Sequence, residues 1–320
     1  MNFIQTGYKG RNDWWMYVLM FFIIFIGSMI GQIPITLKAF LQVDGDFQKF
    51  SESGLNSFAD IGIDSNLYLF LILLSFVVPL ILFYFLVKAI HKIKFTWIVT
   101  SRKKIDWKRF FFGVLVWGII TVGVIGYDII SSPESYVWNF KPVPFFTLCL
   151  VAILFIPLQT SLEEFLFRGY YMQALGMWAK NKWFPLIMMS LVFGMLHMFN
   201  PEIDKLGHII LLFYIGTGLF FGIVTLMDEG TELAMGMHAI NNILAALFVT
   251  ADWTVFKTDA LYVDISDPSV TFETFIPLLI LYPIVFFVLS KKYGWTNWKD
   301  KLFGKVEKPF NPDTLEELGS

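Results

Sequence analysis

Eight stretches of this chain are apolar over about the length needed to cross a bilayer, and no other property restricts its fold as much. In hydrocarbon every backbone N–H and C=O must be satisfied within the segment, so each such stretch must be a helix. The runs fall at 14–36, 67–90, 110–130, 143–178, 183–199, 207–227, 232–249 and 272–290. The predicted fold class is therefore all-α, a polytopic membrane protein with about eight transmembrane helices. Composition agrees: 56% of the residues are hydrophobic and only 16% charged, against about a quarter charged in soluble domains. A single soluble core could not hide 36 Phe and 11 Trp. The first run is too long for a signal-peptide core and lacks a small-residue cleavage site, so it is read as a retained span. The fourth run is too long for one perpendicular crossing, which predicts a span continued by an amphipathic or interfacial extension.

Basic residues orient the spans. Eight Lys and Arg lie between Lys88 and Arg109 against one acid, Asp106. Lys9 and Arg11 precede the first span, and Lys291, Lys292, Lys299, Lys301 and Lys305 follow the last. On the alternate side, 39–66 holds only Lys49 against Asp44, Asp46, Glu52, Asp60 and Asp64, and 250–271 holds only Lys257 among basic residues. Positive charge stays inside, so both termini are expected in the cytoplasm. The Lys, Ile and Phe usage points to a bacterial plasma membrane. The chain is divided into N-terminal spans with a basic loop (1–142), a helical core (143–250), and a last span with its tail (251–320). Nothing in the composition points to nucleic acid. The lone Cys149 excludes an internal disulfide and a cysteine-rich metal site.

Ionisable groups inside a membrane are costly, usually paired, and point to function. They occur here as "EEFLFR" (Glu163, Glu164, Arg168), "FGMLH" (ending at His197) and "HAINN" (His238, Asn241, Asn242). Glu164 and Arg168, four apart, share a helix face and can pair, while Glu163 is turned about 100° from its neighbour. His238 and Asn242 also share a face, and Asn241 points elsewhere and is left out. A carboxylate with an imidazole can deprotonate water. Imidazole and amide N–H groups can stabilise the oxyanion formed when water attacks a carbonyl. The same side chains, Glu163, His197 and His238, could instead hold a divalent metal such as zinc, although no HExxH is present. No histidine is placed to activate Ser161, and Cys149 lies fourteen residues before Glu163. His91 and His208 read as interfacial. Purely structural readings stay open for each cluster, as does a scaffold or immunity role without catalysis, or a proton relay in a transporter.

In that order on successive apolar helices, the three motifs resemble those of the CPBP family of CAAX proteases and bacteriocin-processing enzymes, also called Abi. They match its EExxxR, FxxxH and HxxxN patterns over roughly 143–250. The resemblance implies an eight-helix membrane protease whose site opens toward cytoplasm and bilayer. It implies that Glu163 is the general base acting with His197, that His238 and Asn242 form the oxyanion hole, and that Glu164 and Arg168 support them. It also implies a membrane-bound peptide or lipidated protein as substrate, such as a bacteriocin or signalling-peptide precursor, cleaved by a glutamate or metal mechanism. The family's eukaryotic relatives remove the terminal tripeptide of prenylated CAAX proteins. Geometry raises one difficulty. At about 1.5 Å per residue, His238 lies about 9 Å from the start of its helix and His197 about 21 Å from the start of its own, both starts being on the inner side.

Overall fold

The apolar runs become helices whose lengths depend on what caps and covers them. A computed structural model describes residues 1–54, 58, 61–254 and 256–309, so Asp60 lies outside the described residues. The helices are α1 (Trp14–Gln42), α2 (Ser65–His91), α3 (Trp107–Ser131), α4 (Pro142–Ala179), α5 (Trp183–Leu196), α6 (Leu211–Asp228), α7 (Glu232–Phe248) and α8 (Phe272–Tyr293). Among the described residues six helices are long and apolar enough to cross a membrane, α6 with the short turn before it, and Trp183–Phe199 is a shorter apolar helix. The chain is an integral membrane protein, and eight is an approximate span count because α5 and α7, with 14 and 17 residues, are short. Asp64 starts α2 by accepting from the N–H groups of Asn66 and Leu67 (3.1 and 3.0 Å), and Asp106 starts α3 through Lys108 N–H at 3.0 Å. Pro34, Pro79 and Pro157 sit inside helices, as membrane helices tolerate.

The 38-residue α4 is one continuous helix, and its last part departs from expectation. Met172, Gln173, Ala174, Gly176 and Met177 are buried there, under the N-terminal turn Ile4–Lys9 and against α5. It is covered by protein rather than lying as an amphipathic surface helix. Between Phe165 and Tyr171 its backbone hydrogen bonds widen to the i→i+5 pattern, directly after the paired glutamates.

The basic segment after α2 resolves the height difficulty. Its short helix Thr96–Val99 is wedged beneath the bundle. A Cβ on Gly169 of α4 would sit 2.6 Å from Ile98 O, so only glycine admits this approach. Val99 O accepts from Thr231 N at 2.8 Å, at the foot of α7. The foot of α7 therefore stands level with Gly169, not with the α4–α5 turn. Glu163 lies six residues from Gly169 and His238 six from Glu232, so both stand about 9 Å from the wedge. His197 lies fourteen residues from Trp183, and Glu163 sixteen from Ala179, about 21 and 24 Å from the turn joining α4 and α5.

Buried ion pairs hold the wedge. Arg102 reaches Asp228 (3.1 Å) and Glu232 (3.2 Å), and Arg109 also pairs with Asp228. His91, the last residue of α2, is buried within the protein, with Nδ1 on Arg11 O (2.8 Å) and Nε2 on Tyr170 Oη (2.6 Å). At the opposite end β1 (Tyr136–Trp138) pairs antiparallel with β3 (Tyr262–Asp264), and β3 pairs parallel with β2 (Val249–Thr250).

Candidate active site

Four of the six residues singled out in the sequence meet directly. Glu164 is fully buried, and its Oε1 accepts from Arg168 Nη1 at 3.0 Å. The same oxygen accepts from His238 Nδ1 at 2.8 Å, across from α7. Arg168, also buried, donates a second bond to Gly218 O of α6 at 3.3 Å. Its guanidinium lies 4.2 Å from the Phe193 ring centre, so the cation is enclosed by a carboxylate, a carbonyl and an aromatic face. Spacing supplied the Glu164–Arg168 pair, but not the third partner, His238.

Glu163, one residue earlier, has a different environment. Its Oε1 accepts from Gln159 Nε2 at 2.8 Å, and its Oε2 lies 3.9 Å from His238 Nε2. Its side chain keeps 15% of its surface accessible, whereas that of Glu164 keeps none. Gln159 was missed in the sequence, although a glutamine four residues before Glu163 in an apolar helix was a readable signal.

Hydrogen bonding fixes the imidazole tautomers. An ionised carboxylate only accepts, so His238 carries a proton on Nδ1 and turns Nε2 toward Glu163. His238 is also stacked on Phe221, with centroids 5.2 Å apart. His197 Nδ1 lies 2.7 Å from Phe193 O, which assigns its proton there too and leaves the lone pair on Nε2. Its ring stacks on Tyr214 at 4.2 Å. No hydrogen bond or ion pair joins His197 to either carboxylate among the described residues; the Phe193 ring packs near both imidazoles, 4.9 and 6.1 Å from their centroids. It remains within electrostatic reach of Glu163, His238 and Arg168.

Asn242 lies one turn beyond His238 on the same face of α7. Among the described residues no hydrogen bond joins it to the glutamates or imidazoles; its Oδ1 accepts from Asn241 Nδ2 at 3.1 Å. Asn241, set aside in the sequence, is thus in contact with the site and is held in turn by Trp117.

The donor set was tested for a metal. Both imidazoles give Nδ1–H to an oxygen and offer Nε2, an arrangement that suits metal ligands. Yet among the described residues no three His, Cys, Asp or Glu side chains are grouped so as to hold an ion. Glu163, His197 and His238, the set considered from the sequence, are not such a group among the described residues.

Residues 142–244 match the family model described as type II CAAX prenyl endopeptidase Rce1-like, and all three motifs lie within that span. The family resemblance read from the motifs is borne out there. A relative from Bacillus subtilis (strain 168), the "Uncharacterized protein YyaK", is 27% identical over 257 residues, covering 80% of this chain and 85% of that protein. No solved structure matches.

Proposed function

Because residues 142–244 match the Rce1-like type II CAAX prenyl endopeptidase family, we propose that this membrane protein is an intramembrane endopeptidase that hydrolyses a peptide bond by direct attack of water. The observation that carries the reading is the asymmetry of the two glutamates. Glu164 is consumed by Arg168 and His238, while Glu163 keeps Oε2 free and turned toward an imidazole.

In this mechanism Glu163 Oε2 takes a proton from water as hydroxide attacks the carbonyl carbon. Gln159 holds the other carboxylate oxygen, so the basic one keeps its direction. His197, with its Nε2 lone pair, assists in placing the water. Two buried acceptors, Gln159 Oε1 and Glu164 Oε2, have no donor among the described residues and are suitable anchors for that water. The carbonyl oxygen gains negative charge and is stabilised by Asn242 N–H and by His238. His238 donates from Nε2 when both ring nitrogens carry a proton, with Nδ1 on Glu164 and Nε2 on the Glu163 side. Collapse of the intermediate breaks the C–N bond, and Glu163 returns its proton to the leaving amine.

The substrate is proposed to be a membrane-bound or lipidated peptide or protein, reached from the bilayer, with both termini of the enzyme in the cytoplasm. CAAX-type chains fit the family match. Bacteriocin or pheromone precursors are the second substrate class. The test is cleavage of a quenched farnesylated CAAX-type peptide and of an unlipidated membrane-inserted peptide, by wild type and by Glu163→Gln in vesicles. Cleavage by wild type alone supports the reading; equal cleavage by both proteins, or none by wild type, defeats it. Undiminished activity after chelation and an absence of stoichiometric metal separate direct water attack from the metal alternative.

A further inference from the structure

We infer that Trp117 and Asn241, neither of which belongs to the three motifs, form a one-way hydrogen-bond relay that decides which end of the Asn242 carboxamide is left free on the His238 face of α7. The inference rests on the endopeptidase reading of this site.

An indole N–H gives a hydrogen bond and accepts none. Trp117, on α3 and only 7% exposed, gives its Nε1–H to Asn241 Oδ1 at 3.0 Å. The carbonyl end of Asn241 must therefore face Trp117, and its NH₂ must face the other way. That NH₂ can only donate, and it lies 3.1 Å from Asn242 Oδ1. The carbonyl end of Asn242 is thereby consumed, and its own NH₂ is the end left free. Polarity passes from the indole through two amides without an ambiguous step.

This direction matters because the two ends of a carboxamide have nearly the same shape. Packing cannot tell one flip of Asn242 from the other, yet the two differ in sign for catalysis. An NH₂ stabilises an oxyanion, while a C=O repels it. Trp117 is itself fixed, with ring centroids 5.3 Å from Phe220 and 5.6 Å from Tyr282. Phe221, which stacks on His238 at 5.2 Å, also lies 6.5 Å from Trp117. Both oxyanion groups of α7 are thus set from one aromatic wall. Trp117 and Asn241 are positioning residues; neither touches the reacting atoms.

The test compares wild type, Glu163→Gln, Asn241→Asp and Trp117→Phe as full chains in vesicles, with the same two fluorogenic peptides. At pH 8 the carboxylate introduced by Asn241→Asp still accepts from Trp117 but has no hydrogen to give. Asn242 then turns its NH₂ toward that carboxylate and away from the substrate. The expected result is a fall in kcat of about 30-fold with KM within about threefold, part of the loss known for removing an oxyanion donor. Lowering the pH toward 5 protonates the introduced carboxyl and restores a donor, so the ratio of variant to wild-type kcat rises. A structural defect would leave that ratio flat. Trp117→Phe keeps the packing and releases the anchor; kcat falls about fivefold at every pH, a milder loss than removal of the donor itself.

The relay is overturned if Asn241→Asp matches wild type or shows a loss independent of pH. Should Asn241→Asp not fold, Trp117→Phe decides alone, and wild-type kcat in that variant overturns the relay. A wild type that cleaves neither peptide, or a Glu163→Gln variant that cleaves as well as wild type, instead overturns the endopeptidase reading beneath it.

Discussion

Glu163 and Glu164 are neighbours in sequence with opposite circumstances. Glu164 is enclosed and shared between Arg168 and His238, whereas Glu163 is held on one oxygen and open on the other. Replacing Glu163 by Gln keeps the volume and an oxygen for the Gln159 contact but removes the proposed base. Cleavage should fall by about 10²–10⁴ with the thermal midpoint in detergent unchanged, since general-base catalysis contributes about that factor. Glu164→Gln should behave differently, because it leaves the Arg168 cation buried without its counter-charge. Breaking a buried pair costs about 3–5 kcal/mol, so the midpoint should drop clearly in thermal unfolding. Gln159→Met, near in shape but without a donor, should lower kcat about tenfold and leave KM alone; an increase in KM with normal kcat would contradict its role in aiming Glu163. The Glu164–Arg168 pair was legible because a four-residue spacing is local. The Glu164–His238 bond joins positions 74 apart, and spacing says nothing about it.

At the scale of elements, the decisive piece is the wedge under α4 and α7. The stretch around Thr96–Val99 reads in sequence as part of a basic inner loop, with no sign that it lifts a helix. Its approach to α4 needs Gly169, where an added Cβ would meet Ile98 O at 2.6 Å and Ile98 Cγ2 at 2.7 Å. Gly169→Ala should therefore push the wedge away. Stability should fall by about 1–3 kcal/mol, the usual cost of overpacking. Activity should fall as well, because the foot of α7 and with it His238 would shift. Thermal unfolding and cleavage measured on the same preparation check both effects, and normal values of both would mean that the wedge does not set the height. The widened turn from Phe165 to Tyr171 was equally hidden, since nothing in "FLFRGYY" distinguishes i→i+4 from i→i+5 bonding.

At the scale of the molecule, charge asymmetry makes a prediction about sidedness. The exposed Lys103 belongs to the basic side, and the exposed Asp267 lies in the loop before α8 on the other. In a Cys149→Ser background, Lys103→Cys should react with an impermeant maleimide only from the cytoplasmic side, and Asp267→Cys only from the outside. Labelling of both from one side would overturn the expected topology. The buried pairs of Arg102 and Arg109 with Asp228 and Glu232 add a tertiary reason for that arrangement, tying the basic segment to the α6–α7 turn.

By itself the sequence determined the class of molecule and the inventory of its site: apolar runs that must be helices, and three polar clusters placed where polar groups are costly. Both follow from properties of a single helix, its length and its periodicity. Only the tertiary structure decided that His238 leans on Glu164, that Phe193 packs near both imidazoles, and that Trp117 meets Asn241. Those outcomes depend on the relative heights of helices and on which atom of a side chain is already committed to a partner. Neither quantity exists until segments far apart in the chain have packed.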